Sequence, residues 1–273
     1  MQHGGYRMCP TLAFCPADTK LSFPAPIWRF SFPLKMSAAA ICIPKDDPTH
    51  PLGDDAHFIH AESRTVGVAD GVGGWRRHGV DSREYARQLM HNSLLAVLSG
   101  RDGGPKAVLE EAYRRTTASG SSTACVVELS ADGVLQAANV GDSGFLVVRG
   151  GRVVYRSPVG RRSFNCPYQL GITKDGPEVA EEIEVRGVER GDVVVVATDG
   201  LFDNVHAREI ADVVGLGDDD LAEKCCYLAN MALYNSFDRY SGETPFAEEA
   251  RRAGKEKRGG KVDDITVVIA RVH

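Results

Sequence analysis

Between residues 122 and 157 the chain runs through four short stretches, "STACVVEL", "GVLQAANV", "FLVVRG" and "RVVYRS", parted by Asp132-Gly133, Gly141-Asp142-Ser143-Gly144 and Gly150-Gly151. The apolar period is two and the linkers are turn-sized. Such short connections leave no room for a crossover helix, so the pattern predicts an antiparallel meander. Helical patterns lie elsewhere and come in blocks. Residues 81–100 carry an apolar stripe through Tyr85, Leu89 and Ala96, with Asp81 as N-cap, Glu84 completing a capping box, and Gly100 as a stop. A second helix is expected over about 105–118, opening at Pro105. Two more are expected over 206–214 and 219–238. Strands are expected at "AAAICIP" (38–44), at "AHFIHAE" and "TVGVAD" as a hairpin-like pair, at "DVVVVATDG" (192–200), and at the closing "ITVVIARV" (265–272). After the meander, "PVGRRSFNCPYQLGITKDGPE" (158–178) reads as a long loop. Strands and helices in blocks, without strict alternation, predict an α+β layered domain with antiparallel sheets.

Bulk properties exclude several classes of function. With 32 Lys and Arg against 37 Asp and Glu, the formal net charge is −5. That argues against a nucleic-acid grip, which needs a basic face. No apolar run approaches the length of a membrane span. The 7 cysteines show no CxxC pair, and several sit inside apolar runs as buried thiols do. A reducing, intracellular compartment fits this usage, and a zinc site does not. Residues 1–35 are rich in proline and poor in acids, and they read as a non-structural or targeting extension ahead of a domain spanning 36–273.

The chemistry is carried by where the acids fall. Asp54 and Asp55 precede a strand, Asp70 ends one, and Asp142 sits in a turn. Asp199 ends the most apolar strand, and Asp263 and Asp264 stand just before the last. One such acid is an ordinary turn former. A whole set of them, with no matching set of buried-looking Lys or Arg, needs a shared cation. All-oxygen ligand sets select Mg²⁺, Mn²⁺ or Ca²⁺. No stretch spells an EF-hand loop, so the site must be assembled from distant strands, as in two-metal hydrolytic centres. Glycines follow two of the acids, at Gly71 and Gly200, where a backbone can approach a ligand closely. "GVGG" fits neither nucleotide-loop pattern.

Taken together, "GDDAHF", "VADGVGGW", "SGSSTACVV", "ANVGDSG", "VVVVATDGLFDNV" and "VDDITVVIA" occur in the order seen in metal-dependent Ser/Thr protein phosphatases of the 2C type. The chain resembles that family from about residue 38 onward. The "DGVGGW" and "FNCPYQLG" stretches look most like a small eukaryotic branch with mitochondrial and plastid members. The resemblance implies a four-layer α-β-β-α sandwich of two antiparallel sheets. It also implies Mg²⁺ or Mn²⁺, two per chain with an optional third, and a phosphoprotein substrate. By the same likeness Asp70 bridges both metals with the Gly71 carbonyl completing one, and Asp199 and Asp263 bind the other, with Asp264 standing where the family has Asn. Asp55, with Asp54 nearby, holds metal-bound waters, and Asp142 helps hold the third metal. A hydroxide bridging the metals attacks the phosphorus of phosphoserine or phosphothreonine, and the protein is expected to be a monomer.

The chain departs from that pattern in two places. Val72 stands where the family has a proton-donating His, and His50 where it has a phosphate-gripping Arg. Arg76, Arg77, Arg161 and Arg162 are the candidate replacements for the clamp, and substrate-binding residues stay unassigned. The departures keep an alternative open: a catalytically silent, metal-holding module that binds phosphoproteins. "GDSG" also surrounds the nucleophile of trypsin-like proteases, but Phe145-Leu146 follows it here and no histidine has the matching setting. Ser143 reads as a turn residue.

Overall fold

The run Val193–Ala197 forms a strand, β11 below, whose side chains alternate between two apolar environments. Val193, Val195 and Ala197 face helices, whereas Val194 and Val196 face a second sheet. That arrangement explains an uninterrupted apolar sequence, because a strand covered on both faces has no solvent side to make polar. The computed structural model describes residues 33–48, 50–100, 102–217, 220–240 and 243–273.

In chain order the strands are β1 Met36–Ile43, β2 Asp55–His60, β3 Thr65–Asp70, β4 Ala124–Leu129, β5 Val134–Val140, β6 Gly144–Arg149 and β7 Arg152–Arg156. They continue with β8 Arg161–Ser163, β9 Cys166–Pro167, β10 Glu181–Arg186, β11 Val193–Ala197 and β12 Ile265–Val272. The helices are α1 Ser82–Leu98, α2 Gly104–Arg115, α3 Asp199–Phe202, α4 Ala207–Val214, α5 Leu221–Phe237 and α6 Pro245–Arg252. One sheet has the order β1-β12-β11-β6-β7 and the other β10-β5-β4-β3-β2. Every neighbouring pair within both is antiparallel.

Three apolar layers hold the sandwich together. Between the sheets, Phe145, Val147, Val194, Val196, Val268 and Ala270 meet Val66, Val68, Cys125, Val127, Leu129 and Leu135. Outside the first sheet, α4 and α5 cover Val195, Val267 and Ile269 with Ile210, Val214, Leu228 and Ala232. Outside the second, α1 and α2 cover Ala69, Val126 and Val140 with Tyr85, Leu89 and Leu109. Each fully buried Val, Leu or Ile contributes about 1.5–3 kcal/mol relative to exposure. This is the four-layer α-β-β-α order, and it confirms the fold class.

The structure also corrects the sequence reading. The expected meander is split, because β4 and β5 belong to one sheet and β6 and β7 to the other. The chain changes sheet at Gly141-Asp142-Ser143, where a turn that looks like a hairpin loop is instead a crossing. In α1 the Asp81 carboxylate caps the Arg83 N–H at 3.1 Å, but Glu84 accepts from Gln88 and does not close a capping box. Additional elements are the short pair β8 and β9 inside the expected loop, the single-turn α3, β10 at the sheet edge with an alternating Glu-Ile-Glu-Val pattern, and α6, which ends where the polar stretch 252–261 begins. Residues 1–32 of the presumed extension lie outside the described residues. Leu34 is buried between the sheets and Lys35 donates its N–H to the His273 carbonyl at 3.0 Å, so these last extension residues pack with the fold.

Candidate metal centre

Antiparallel pairing places the acids. Asp55 opens β2 directly opposite Asp70, which closes β3. Ala197 at the end of β11 pairs with Gly144 at the start of β6 and with Val267 near the start of β12. Asp70, Asp55, Asp142, Asp199 and Asp263 therefore lie at one end of the sandwich, although up to about two hundred residues separate them along the chain. Carboxylate oxygens of Asp70, Asp142 and Asp199 lie within 4.8 Å of one another.

Several carboxylate oxygens at this end find no hydrogen-bond partner in the protein. Asp54 Oδ1, Asp55 Oδ1, Asp142 Oδ1 and Asp199 Oδ1 are buried and accept no hydrogen bond. Burial, followed by the neighbouring Asp199 and Asp55, pushes the Asp70 carboxyl well above the usual carboxylate range. Burial, then Asp264, does the same to Asp55, and burial raises Asp199 and Asp203. Asp142 is pushed up to about 7, again by burial first and Asp199 second. Carboxylates in this state resist ionisation unless a cation joins them. Orphaned, convergent, all-oxygen donors are the set that Mg²⁺ and Mn²⁺ take.

Local structure explains how each acid is held. Thr198 donates its hydroxyl to Asp55 Oδ2 at 2.8 Å, leaving Oδ1 for another partner. Gly71 must be glycine, since a Cβ there would lie 2.6 Å from the Asp54 carbonyl oxygen and 2.7 Å from that of Ser82. Asp264, by contrast, is fully engaged: its oxygens accept the Lys45 N–H at 2.8 Å and the Asp54 N–H at 3.0 Å, tying the two ends of the β1–β2 loop to the start of β12. Asp263 Oδ1 accepts from the Lys45 ammonium and from the Asp264 N–H, both at 3.0 Å. Burial works to raise its carboxyl, but Lys261 and Lys45 together hold it below the usual range.

The expectation that no lysine or arginine matches these acids is wrong. Lys45 Nζ stands 3.0 Å from Asp263, 3.1 Å from Asp264 and 3.5 Å from Asp54. Lys261 Nζ pairs with Asp199, and lies 3.3 Å from both Asp203 and Asp263. Sequence reasoning also missed Asp203. Its signal was present, since Asp199 and Asp203 are one helical turn apart and share a face.

Among the candidate arginines, Arg76 pairs with Asp54 and stands 2.7 Å from Asp47. His50 lies 3.9 Å from that same Asp47. Arg161 pairs with Glu249, Arg162 with Asp175, and Arg77 is exposed. Ser143 is 1% exposed and its hydroxyl shares a 2.7 Å hydrogen bond with that of Thr123. A second hydroxyl is no general base, so the protease reading of "GDSG" fails.

Two antiparallel sheets between helix layers, with carboxylates gathered at one end, define a layered domain with an acidic pole. The family model described as stage II sporulation protein E (SpoIIE) matches residues 62–273. The chain is similar to "Probable protein phosphatase 2C 55" of Arabidopsis thaliana, with 42% identity over 88% of this chain and 52% of that one. It is also similar to "Protein phosphatase PTC7 homolog fig" of Drosophila grimshawi, with 43% identity over 81% of this chain and 80% of the relative. Among solved structures, that of the photosystem II phosphatase PBCP matches with a TM-score of 0.81 and 30% identity, over 87% of this chain and 99% of that one. The chain belongs to the 2C-type protein phosphatase family. It spans about half the length of the Arabidopsis relative.

Proposed function

We propose that this chain is a Mg²⁺- or Mn²⁺-dependent phosphatase that hydrolyses phosphoserine and phosphothreonine in proteins. The observation that carries the reading is the convergence of Asp70, Asp142 and Asp199, of which Asp142 and Asp199 each keep a buried, unpartnered carboxylate oxygen. Asp70, the Gly71 carbonyl, Asp199 and Asp263 would hold the metals, with Asp54, Asp55 and Asp142 around them. Asp263 is preferred over Asp264 because a backbone N–H meets one of its oxygens only, whereas backbone N–H groups occupy both oxygens of Asp264. When bound, the divalent ions supply the Lewis acidity that activates water and offsets charge on the phosphoryl oxygens.

The chain's own residues do the rest. Thr198 orients Asp55, and Asp263 is set between two lysines, Lys45 at 3.0 Å from Oδ1 and Lys261 at 3.3 Å from Oδ2. Val72 has no proton to give, so the leaving alkoxide takes its proton from solvent. Arg76 is the candidate arginine that pairs with an acid of this site, and it is the one assigned to the phosphate at the rim. A cavity beside Asp142 and Asp203, walled by Phe164, Phe246 and Arg161, would receive residues flanking the phosphorylated one. The substrate is a phosphoprotein and the enzyme works as a monomer. Free thiols at Cys42, Cys125, Cys166, Cys225 and Cys226 support a reducing compartment, in a mitochondrion, plastid or cytoplasm. Among the described residues no helix is long and apolar enough to cross a membrane.

The test is phosphate release from a phosphothreonine peptide with Mn²⁺. Turnover that stops with excess chelator and in Asp199→Ala supports the reading. Turnover that survives either change refutes it.

A further inference from the structure

The acids at this end of the sandwich divide into two groups by what meets them. Among the described residues no Lys, Arg or His nitrogen pairs with Asp70 or Asp142, and one oxygen each of Asp142 and Asp199 accepts nothing. The other Asp199 oxygen, together with Asp203 and Asp263, surrounds the ammonium of Lys261. Three carboxylates around one cation is the arrangement a hard metal ion takes, yet here the cation is part of the chain.

Lys261 is also held too firmly to be an incidental surface contact. The Asn204 side chain pairs with both of its backbone groups: Oδ1 accepts the Lys261 N–H at 2.9 Å, and Nδ2 donates to the Lys261 carbonyl at 2.9 Å. Asn204 is 1% exposed and is itself tied to Asn235, whose Nδ2 donates to its carbonyl at 2.9 Å. The preceding Gly260 lies flush on the end of α5, where a Cβ would come within 2.2 Å of the Asn235 carbonyl oxygen. The backbone of Lys261 is thus fixed against α5 and the segment after α3, and only its side chain reaches into the acids. A cation presented from so rigid a support does not have to be gathered from solution.

We infer that Lys261 is a resident cation of the acidic cleft: its ammonium fills the place among Asp199, Asp203 and Asp263 that an additional divalent ion would otherwise take, and so limits how many metals the chain holds. The inference rests on the metal-dependent reading above. It separates the roles of the acids, with Asp203 serving the lysine and Asp70 and Asp142 serving metal. It also gives the chain one positive charge in the cleft that does not vary with the metal supply.

The experiment is Mn²⁺ uptake, measured by calorimetric titration and by elemental analysis of the desalted protein, for wild type, Lys261→Met, Lys261→Arg and Asp203→Asn. Lys261→Met should take up one more Mn²⁺ per chain than wild type, at a weak additional site, and Lys261→Arg should match wild type. Asp203→Asn should leave the wild-type uptake unchanged, a readout that does not depend on the folding of Lys261→Met. Uptake in Lys261→Met equal to that of wild type overturns the inference, as does a loss of Mn²⁺ in Asp203→Asn. A wild type that takes up no Mn²⁺ overturns the metal-dependent reading as well, so the two failures are distinguishable.

Discussion

The middle of the sandwich and its acidic end are built from the same strands and differ in almost every other respect. Along β11, Val193 to Ala197 are 5% exposed or less and meet only apolar neighbours. Beyond the intervening Thr198, Asp199 is equally buried and carries an oxygen with no partner. The first region stabilises the fold by removing apolar surface from water. The second opposes folding, because burying carboxylates with an oxygen left unpartnered costs on the order of several kcal/mol before relaxation. The ion pairs to Lys45, Arg76 and Lys261 offset that cost only in part. A domain tolerates such an end only when the rest of the core outweighs it, and the two sheet-facing layers supply that margin. Asp263 and Asp264 repeat the contrast within one dipeptide, the former turned to the cleft and the latter locked by backbone donors.

The largest expected effect of breaking this contrast is on chemistry. Asp199→Ala should lower phosphate release by about 10³-fold or more, on the order of 4 kcal/mol of transition-state stabilisation, while leaving the far-ultraviolet circular dichroism unchanged. An effect on the fold comes next. Leu228→Ala, which opens a cavity under α5, should cost about 2–5 kcal/mol in denaturant unfolding and leave Mn²⁺ affinity close to wild type. Asp264→Ala should cost about 1–3 kcal/mol, because it strands the N–H groups of Lys45 and Asp54. Asp263→Ala should instead weaken Mn²⁺ binding with little loss of stability. Equal effects at the two neighbours would contradict the roles given to them.

The smallest effect concerns pH. The folded Asp142 carboxyl titrates near 7, above its ordinary 3.8, and Asp70, Asp199 and Asp203 are displaced in the same direction. A group whose folded pKa is raised contributes stability that is present below the unfolded value and is lost as pH rises through the folded one. For Asp142 that window runs from about 4 to about 7. Metal-free protein should therefore melt at a lower temperature at pH 8 than at pH 5, and Asp142→Asn should flatten the slope over that interval. A melting temperature that rises across the interval would contradict it. Asp263 is displaced downward and opposes this trend below about pH 4.

Much of this was legible in the sequence, for physical reasons that differ from residue to residue. The β11 run is apolar throughout because both of its faces are covered, and α1 announces itself through Asp81 and the Tyr85–Leu89 stripe. The strand-end acids stand out because a carboxylate beside a core strand is expensive. What was hidden depends on tertiary choices that local pattern does not encode. Nothing in Gly141-Asp142-Ser143-Gly144 says that the chain leaves one sheet for the other, since a hairpin turn and a crossing use the same residues. Lys261 lies in a stretch, "RAGKEKRGGK", whose charges read as solvated, and only the docking of Gly260 on α5 turns it inward. Edge strand β10 escaped because its exposed glutamates make it look like loop.

The central claim is that carboxylates from distant strands share divalent cations at one end of the sandwich. Anomalous scattering from crystals soaked in Mn²⁺ tests it most directly. The account predicts manganese peaks in contact with the carboxylates of Asp70 and Asp199, and none between Asp203 and the Lys261 ammonium. Crystals that show no manganese at Asp70, or show it only at surface acids elsewhere, would contradict it.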